Sequence, residues 1–208
     1  MRGGPRSLGC HGSHHRFYSL AESLLAEPLP RRWSHSLGVA GRARSLRGIL
    51  GDDASLMEAA AVLHDVGYSP RIASTGFHPL DGARFLRDQE GMDERVVRLV
   101  AHHSCALLEA EERGLREELE GEFELERPDL VDALIFCDMT TTPDGACTTP
   151  AERLDEIVQR YGPDTLVGRF IQRAAPEIHS ATARVEQRLS RVSAAQPMWG
   201  SVRESSRP

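Results

Sequence analysis

The chain of 208 residues is long enough for one globular domain with tails, and its hydrophobic fraction of 40% and charged fraction of 27% are ordinary for a folded protein. The net charge of −6 argues against broad electrostatic binding to nucleic acid or anionic lipid, so we expect no stable nucleic-acid partner. All 25 basic residues are arginine, a bias typical of GC-rich coding, and composition alone does not indicate an arginine-rich phosphate site.

The chain lacks a run of about 18 apolar residues, which argues against a membrane span. Its first residues have no continuous apolar segment of the kind that signal peptides carry, and its four cysteines form no C-x-x-C pair. These features predict a cytoplasmic protein with reduced thiols. Residues 1–15 and 194–208 are polar and predict two disordered tails around one domain at 16–193.

Between the tails the apolar spacing is helical, and no convincing alternating strand pattern occurs. Asp52 or Asp53, and later Asp93, are placed as helix caps. The glutamate-rich segment 105–127 favours a solvated helix or loop, with a mobile lid over a site as the alternative. The sequence therefore predicts an all-α domain. Its predicted helices cover 31–50, 53–66, 78–89, 93–104, 128–139, 150–161 and 176–193.

Four of these helices carry a histidine or aspartate on their apolar face. A lone inward histidine is usually a hydrogen-bonded core residue, but an ionised carboxylate such as Asp138 is costly there unless a cation or strong donors compensate it. A divalent metal compensates histidine and aspartate ligands from different elements together. The order of polar residues thus predicts a metal site built from three helices. Its ligands would be His35, His64, Asp65 and Asp138.

The same order resembles the HD superfamily of metal-dependent phosphohydrolases, whose signature is H…HD…D on an all-α fold. The stretch RRWSHSLGVA supplies His35, AAVLHDVG supplies His64 and Asp65, and LIFCDMTTTPDG supplies Asp138. The resemblance covers about residues 30–145. It implies a single HD-domain helical bundle.

The resemblance also implies two metals. Superfamily members that hold two metals carry additional histidines at two later places, and this chain has His78 at the first and "HHS" at the second. Asp65 would bridge the two ions. The first metal would take His35, His64, Asp65 and Asp138, and the second would take Asp65, His78 and His103. We expect two divalent ions, Fe or Mn, with Mg, Co, Ni and Zn as alternatives.

The choice between His102 and His103 depends on helical register. His103 shares the apolar stripe of Val100, whereas His102 falls on the side of Arg98. We therefore expect His103 to be the ligand and His102 to contact the ligands or the substrate.

Within the superfamily the pattern most resembles the bacterial HD family that cleaves symmetrical dinucleoside tetraphosphates. Arg32 precedes His35 by three residues, as in that family, but the chain departs from it at Pro79, Ser104 and Cys137. The HD-GYP phosphodiesterases of cyclic di-guanylate are a poorer match, because no Gly-Tyr-Pro follows "HHS".

The resemblance implies hydrolysis of a phosphoester or phosphoanhydride bond in a phosphorylated small molecule, a nucleotide in our interpretation, by a metal-activated hydroxide. The candidate catalytic residues are Asp65, His102 and Arg32. Further candidates are Arg71 or Arg84 for phosphate contacts, Asp81 for proton transfer, and Thr140, Thr141, Thr142 and Asp144 at the mouth of the site.

Two other functions stay open. A non-catalytic regulatory module would bind metal and a nucleotide without cleaving it. An iron-dependent oxygenase on the same fold would carry out oxidative chemistry instead. The sequence also leaves a homodimer open.

Overall fold

The computed structural model describes residues 11–89 and 91–195, and within these ranges the backbone is helical, with no strand beyond an isolated bridge between Thr141 and Cys147. This confirms the predicted all-α class. The predicted tails lie mostly outside these ranges. The helices are α1 (His11–Leu25), α2 (Pro30–Ser45), α3 (Arg47–Leu50), α4 (Ala54–Leu63), α5 (His78–Arg87), α6 (Glu94–Ala101), α7 (Ala106–Arg113), α8 (Arg116–Glu122), α9 (Pro128–Met139), α10 (Pro150–Tyr161) and α11 (Leu166–Ala195).

Proline and capping residues mark several helix starts. Asp93 caps α6 by accepting a hydrogen bond from the backbone N–H of Arg95. Thr149 and Glu152 form a capping box at the start of α10. Proline, whose missing N–H costs no helical bond in a first turn, opens three helices. These prolines are Pro30, Pro128 and Pro150.

The prediction that an aspartate side chain caps α4 through a hydrogen bond is wrong. Asp53 precedes the helix, but its carboxylate makes no capping hydrogen bond. It accepts instead from the guanidinium groups of Arg95 at 2.8 Å and Arg127 at 3.0 Å. Two charge-assisted bonds outcompete one bond to a backbone amide.

The helix bounds differ from the prediction at both ends of the chain. Helix α1 was not predicted, and it begins at His11, within the predicted tail. The predicted helix 31–50 divides at Leu46 into α2 and α3. Helix α11 begins at Leu166 rather than at Pro176, which lies exposed inside it. Water can therefore reach the carbonyl that this proline leaves without an N–H partner.

The glutamate-rich segment is partly core. It forms α7 and α8, in which Ala110 and Leu119 are fully buried. Some of its glutamates pair with arginines of other helices, as Glu122 does with Arg84 and Glu112 with Arg173. It is therefore attached to the core by apolar contacts as well as by charge.

Helix α4 is central. Its sequence ASLMEAAAVL is apolar around most of its circumference, and residues 59–63 are all buried, which is typical of a helix enclosed by others. It packs against α1, α2, α6 and α9. A smaller apolar cluster joins α9, α10 and α11. The His64-Asp65 pair directly follows α4, so both side chains lie inside the core. Among the described helices, none combines the length and the apolarity that crossing a membrane requires.

Candidate metal centre

Asp65 lies between two pairs of histidines. Its Oδ2 atom is 3.3 Å from His64 Nε2 and 3.9 Å from His35 Nε2. Its Oδ1 atom is 3.5 Å from His78 Nε2 and 3.9 Å from His103 Nε2. The ligand atoms of His35, His64 and Asp65, the first trio, lie within 4.8 Å of one another. The ligand atoms of Asp65, His78 and His103, the second trio, do so as well. The side chain of Asp65 is only 3% exposed, so its two oxygens face the histidines rather than water.

Asp138 adjoins the first trio. Its Oδ1 is 2.9 Å from His35 Nε2 and 4.0 Å from His64 Nε2. Its Oδ2 accepts a hydrogen bond from the hydroxyl of Ser104. All six sequence-predicted ligands therefore converge on one site, and His103 rather than His102 belongs to it.

Helix ends and one close backbone approach bring these residues together. His64 and Asp65 follow α4, His78 is the first residue of α5, and Asp138 lies near the end of α9. A Cβ on Gly67 would lie 1.9 Å from the His78 carbonyl oxygen, so only glycine lets this turn pass the start of α5.

Backbone carbonyls orient three of the histidine rings. Because a carbonyl only accepts, each Nδ1 must carry a proton, so Nε2 is the nitrogen that each ring offers to a metal once the ring is neutral. The contacts are His35 Nδ1 to Thr142 O (3.0 Å), His64 Nδ1 to Ala61 O (2.8 Å) and His103 Nδ1 to Val100 O (2.7 Å).

The chemistry of this cluster fits divalent cations. His64 Nε2 is buried and has no hydrogen-bond partner among the described residues, although buried polar atoms normally have one. Nitrogen and carboxylate oxygen donors together suit Fe, Mn and Zn. The residues present therefore could hold the two ions that the sequence predicts.

Burial and neighbouring charges set the protonation of the cluster. Burial acts to raise the pKa of Asp65, but Arg32 and His64 outweigh it and hold that pKa well below its usual range. Burial, reinforced by the neighbouring His103, lowers the pKa of His78 well below its usual value. Burial and His64 lower the pKa of His103 to about 4. An ionised Asp65 beside neutral His78 and His103 is the state that metal binding needs. Burial acts to lower the pKa of His64, but Asp65 and Asp138 outweigh it and raise that pKa, so metal binding would have to displace a proton from His64.

Arg32 and Tyr68 border the second histidine pair. The Nη1 atom of Arg32 donates to Asp65 Oδ2 at 2.9 Å, and its guanidinium lies 3.9 Å from the centre of the Tyr68 ring. The same ring stacks on His78 with a centroid separation of 3.8 Å. Tyr68 thus positions a predicted catalytic residue and a predicted ligand at once.

The cluster opens into a cleft of about 180 Å³. Arg32, Asp65, His78, His103 and Asp138 line its inner part. Helices α7, α10 and α11 supply the outer part, with three further arginines and an apolar side. These residues are Arg113, Arg153, Arg160, Ile157, Phe170 and Ile171.

Several sequence-predicted site residues lie elsewhere. His102 is buried outside the cleft lining, and its Nε2 contacts the carbonyl oxygen of Phe123 at 2.7 Å. It occupies the adjacent helical position to His103, so it points away from the cluster, and its predicted substrate contact is not supported. Asp81 binds the loop residues Ser74 and Thr75 rather than facing the cleft.

The remaining candidates also have structural partners. Arg71 donates to the carbonyl of Ser23, and Arg84 pairs with glutamates of α8. Asp144 pairs with Arg31 at the surface. The hydroxyls of the threonines that follow α9 bind helix carbonyls or the next loop, so only the Thr142 carbonyl reaches the site.

Sequence reasoning missed the outer wall of the cleft. Arg153, Ile157 and Arg160 share one face of α10, which their spacing would have shown. The neighbours of this face of α10 are set by contacts between residues far apart in the sequence. No local pattern reveals those contacts.

The comparison with protein families gives one match, to the HD domain, over residues 32–139. That range is just over half of the 208 residues and includes all six converging histidines and aspartates. Comparison with curated proteins and with solved structures gives no match. The family match and the convergence of the H…HD…D residues agree, and the chain belongs to the HD domain family.

Proposed function

We propose that this chain is a metal-dependent phosphohydrolase that cleaves a phosphoester or phosphoanhydride bond, with a nucleotide as substrate. The observation that supports the proposal is the buried Asp65, whose two oxygens each face a separate pair of histidines. Members of the HD domain family are typically metal-dependent phosphohydrolases.

The proposal assigns two overlapping ligand sets, joined by Asp65. Two bound divalent cations would polarise the phosphoryl oxygens and lower the pKa of a water molecule between them. Fe or Mn suits the mixture of imidazole and carboxylate ligands. The first set is His35, His64, Asp65 and Asp138, and the second is Asp65, His78 and His103.

Arg32 is the proposed substrate-contacting cation. It lines the cleft, and its Nη1 donates to Asp65 while its other N–H groups are available to a phosphoryl oxygen. A guanidinium fixed in this way is preorganised to neutralise charge that develops on phosphorus oxygens. We assign no catalytic role to His102.

The resemblance to enzymes of symmetrical dinucleoside tetraphosphates favours nucleoside polyphosphates. Of the three departures from that family, Pro79 and Ser104 line the cleft, whereas Cys137 is buried in the core. The departures therefore affect which substrate fits the cleft more than how many metal ligands the chain offers. A homodimer and a cytoplasmic location stay predictions from the sequence.

Formation of hydrolysis products, separated by chromatography, tests the proposal, because cleavage of a phosphodiester or of the central anhydride of a dinucleoside polyphosphate releases no inorganic phosphate. We would load the purified protein with Mn(II) or Fe(II) and present nucleoside polyphosphates, cyclic dinucleotides and monophosphates. We expect hydrolysis of at least one class and none by Asp65→Ala, because that substitution removes the shared ligand. The matched control Asp155→Ala changes an exposed aspartate of α10 and should retain full activity.

The same screen distinguishes the alternatives. Nucleotide binding without hydrolysis products above the Asp65→Ala background would favour the regulatory module. Oxygen consumption with a polyol substrate and no hydrolysis of any phosphorylated compound would favour an oxygenase.

A further inference from the structure

Arg153 is a buried arginine with an unused donor. Its side chain is 7% exposed and pairs with Glu156 through Nη1. Its Nε–H is buried and has no acceptor among the described residues. An unpaired N–H on a buried charged group costs more than one on a neutral group. The position therefore favours an acceptor that comes from a ligand.

Arg153 lies where two cavities adjoin. It lines the cleft of the candidate metal centre, and it also lines a second cavity beside Pro30 and His35. Arg32 and Arg160 line the same two cavities. Three arginines thus line both cavities, and His35 of the first set of proposed ligands lines the second.

The charges of the outer cleft are unbalanced. Four arginines line the cleft, and two of the three lining carboxylates, Asp65 and Asp138, are proposed metal ligands. The third, Glu109, is bound by Arg113 at 2.6 Å. Glu156, which pairs with both Arg153 and Arg160, is not part of the lining. The surface that a ligand meets beyond the metal ligands is therefore cationic.

We propose that Arg153 and Arg160 form an oxyanion subsite beside the metal centre, which binds a second phosphate group of the substrate. This inference rests on the proposed function and deepens it: the metals would act on one phosphorus while the two guanidiniums hold the next. Planar guanidinium groups suit phosphate oxygens because they offer paired N–H donors. Both residues lie outside the family match at 32–139, so they would determine specificity in this chain rather than support the shared chemistry.

Calorimetric titration of the purified protein tests the subsite without relying on turnover. The probes are methylenediphosphonate, which carries two linked phosphonates and resists hydrolysis, and inorganic phosphate. Wild type should bind the diphosphonate at least about tenfold more tightly than phosphate, since charge-assisted bonds to the arginines add to those of the metals. Metal content is measured before and after each titration.

Arg160→Gln is the deciding variant, because Arg160 is more exposed than Arg153 and its loss should not unfold the chain. We expect it to lose most of the preference for the diphosphonate, about tenfold, while its phosphate affinity changes less than about threefold. Arg153→Gln should show a larger loss if its melting temperature matches wild type.

Arg173→Gln is the matched control. It removes the same charge and leaves Glu112 with Arg169, as Arg160→Gln leaves Glu156 with Arg153. Its preference should equal that of wild type. An unchanged preference in Arg160→Gln would overturn the subsite even if the enzyme hydrolyses its substrate. A preference that Arg160→Gln abolishes would support the subsite even if no substrate is cleaved.

Discussion

Asp65 is the residue on which the site depends. Its neighbours on the two sides differ: the Oδ2 side has His35, His64 and Arg32, and the Oδ1 side has His78 and His103. An asparagine would present one oxygen and a donating NH2 group in place of two oxygens, and it would not supply the negative charge that two cations need. The position therefore requires a carboxylate for its charge and its two oxygens together.

Ser104 supports Asp138, a proposed ligand, at a conformational cost. Ser104 (φ 49°) and Cys105 (φ 62°) both adopt the left-handed conformation, which costs roughly 1–2 kcal/mol for each residue other than glycine. The bend lets the Ser104 hydroxyl donate to Asp138. Strain of this kind persists where the surrounding structure requires it.

Ser104→Ala should weaken metal retention by about tenfold or more, because partners of metal ligands typically contribute that much. The melting temperature of the metal-free protein should stay close to that of wild type. Metal titration in a competing chelator measures the affinity. Ser180→Ala, which removes an exposed helical hydroxyl on α11, should leave the affinity unchanged, and equal affinities for all three proteins would contradict the role of Ser104.

At the element scale, the turn after α4 and the start of α5 must nearly touch. Gly67→Ala should destabilise the protein by more than about 3 kcal/mol, since its Cβ would overlap the His78 carbonyl and one side must move. Urea unfolding measures the loss. The control Gly41→Ala, inside α2 with only an Arg44 side-chain atom at 3.6 Å, should be neutral or stabilising by about 0.5–1 kcal/mol. Similar unfolding midpoints for the two variants would contradict the packing.

The loop before α5 is fixed by Asp81. Its carboxylate accepts bonds from the N–H and hydroxyl groups of Ser74 and Thr75 at 2.8–3.1 Å. Burial acts to raise the pKa of Asp81, but these donors outweigh it and lower that pKa. The carboxylate therefore contributes stability above its unfolded pKa of about 3.9, and the contribution fades as the pH falls toward the folded pKa.

Asp81→Asn should lower the free energy of unfolding by about 2 kcal/mol at pH 7. The difference from wild type should shrink as the pH falls below about 4, because wild type then loses the same interaction. Urea unfolding across this pH range measures it. Asp88→Asn, at an exposed aspartate beside Arg87, should have little effect at any pH, and a pH-independent difference for Asp81→Asn would rule out the charge as the cause.

At the scale of the whole molecule, local signals predicted most helices and the inward positions of His35, His64, His103 and Asp138, whereas the place of His78 in the site was implied by the resemblance to the HD superfamily. An ionised Asp138 on an apolar face is costly unless a cation or strong donors compensate its charge. Helical register alone distinguishes His103 from His102. The outer cleft was not predicted. Arg153 and Arg160 reach it because α10 and α11 pack on α9, and such long-range contacts leave no local pattern. The sequence places the start of α11 at Pro176, but this proline lies exposed inside the helix. Its exposure there depends on the fold and leaves no local pattern.

The helices converge on one carboxylate, that of Asp65, which belongs to both proposed ligand sets. Helices α2, α4 and α9 bring the first ligand set from three directions, and the start of α5 and the turn after α6 bring the histidines of the second. The family match spans this part of the chain, whereas α10 and α11 complete the cleft around it. Metal binding should therefore depend on the first part, and substrate choice on the cleft lining that both parts supply.

Metal content of purified variants tests the shared carboxylate most directly. Elemental analysis of wild type should give about two Mn or Fe ions per chain. Asp65→Ala should lose both, and His78→Ala should lose mainly one, while the exposed His179→Ala keeps both. Full metal content in a folded Asp65→Ala variant, or equal losses in Asp65→Ala and His78→Ala, would contradict a centre in which Asp65 joins two metals.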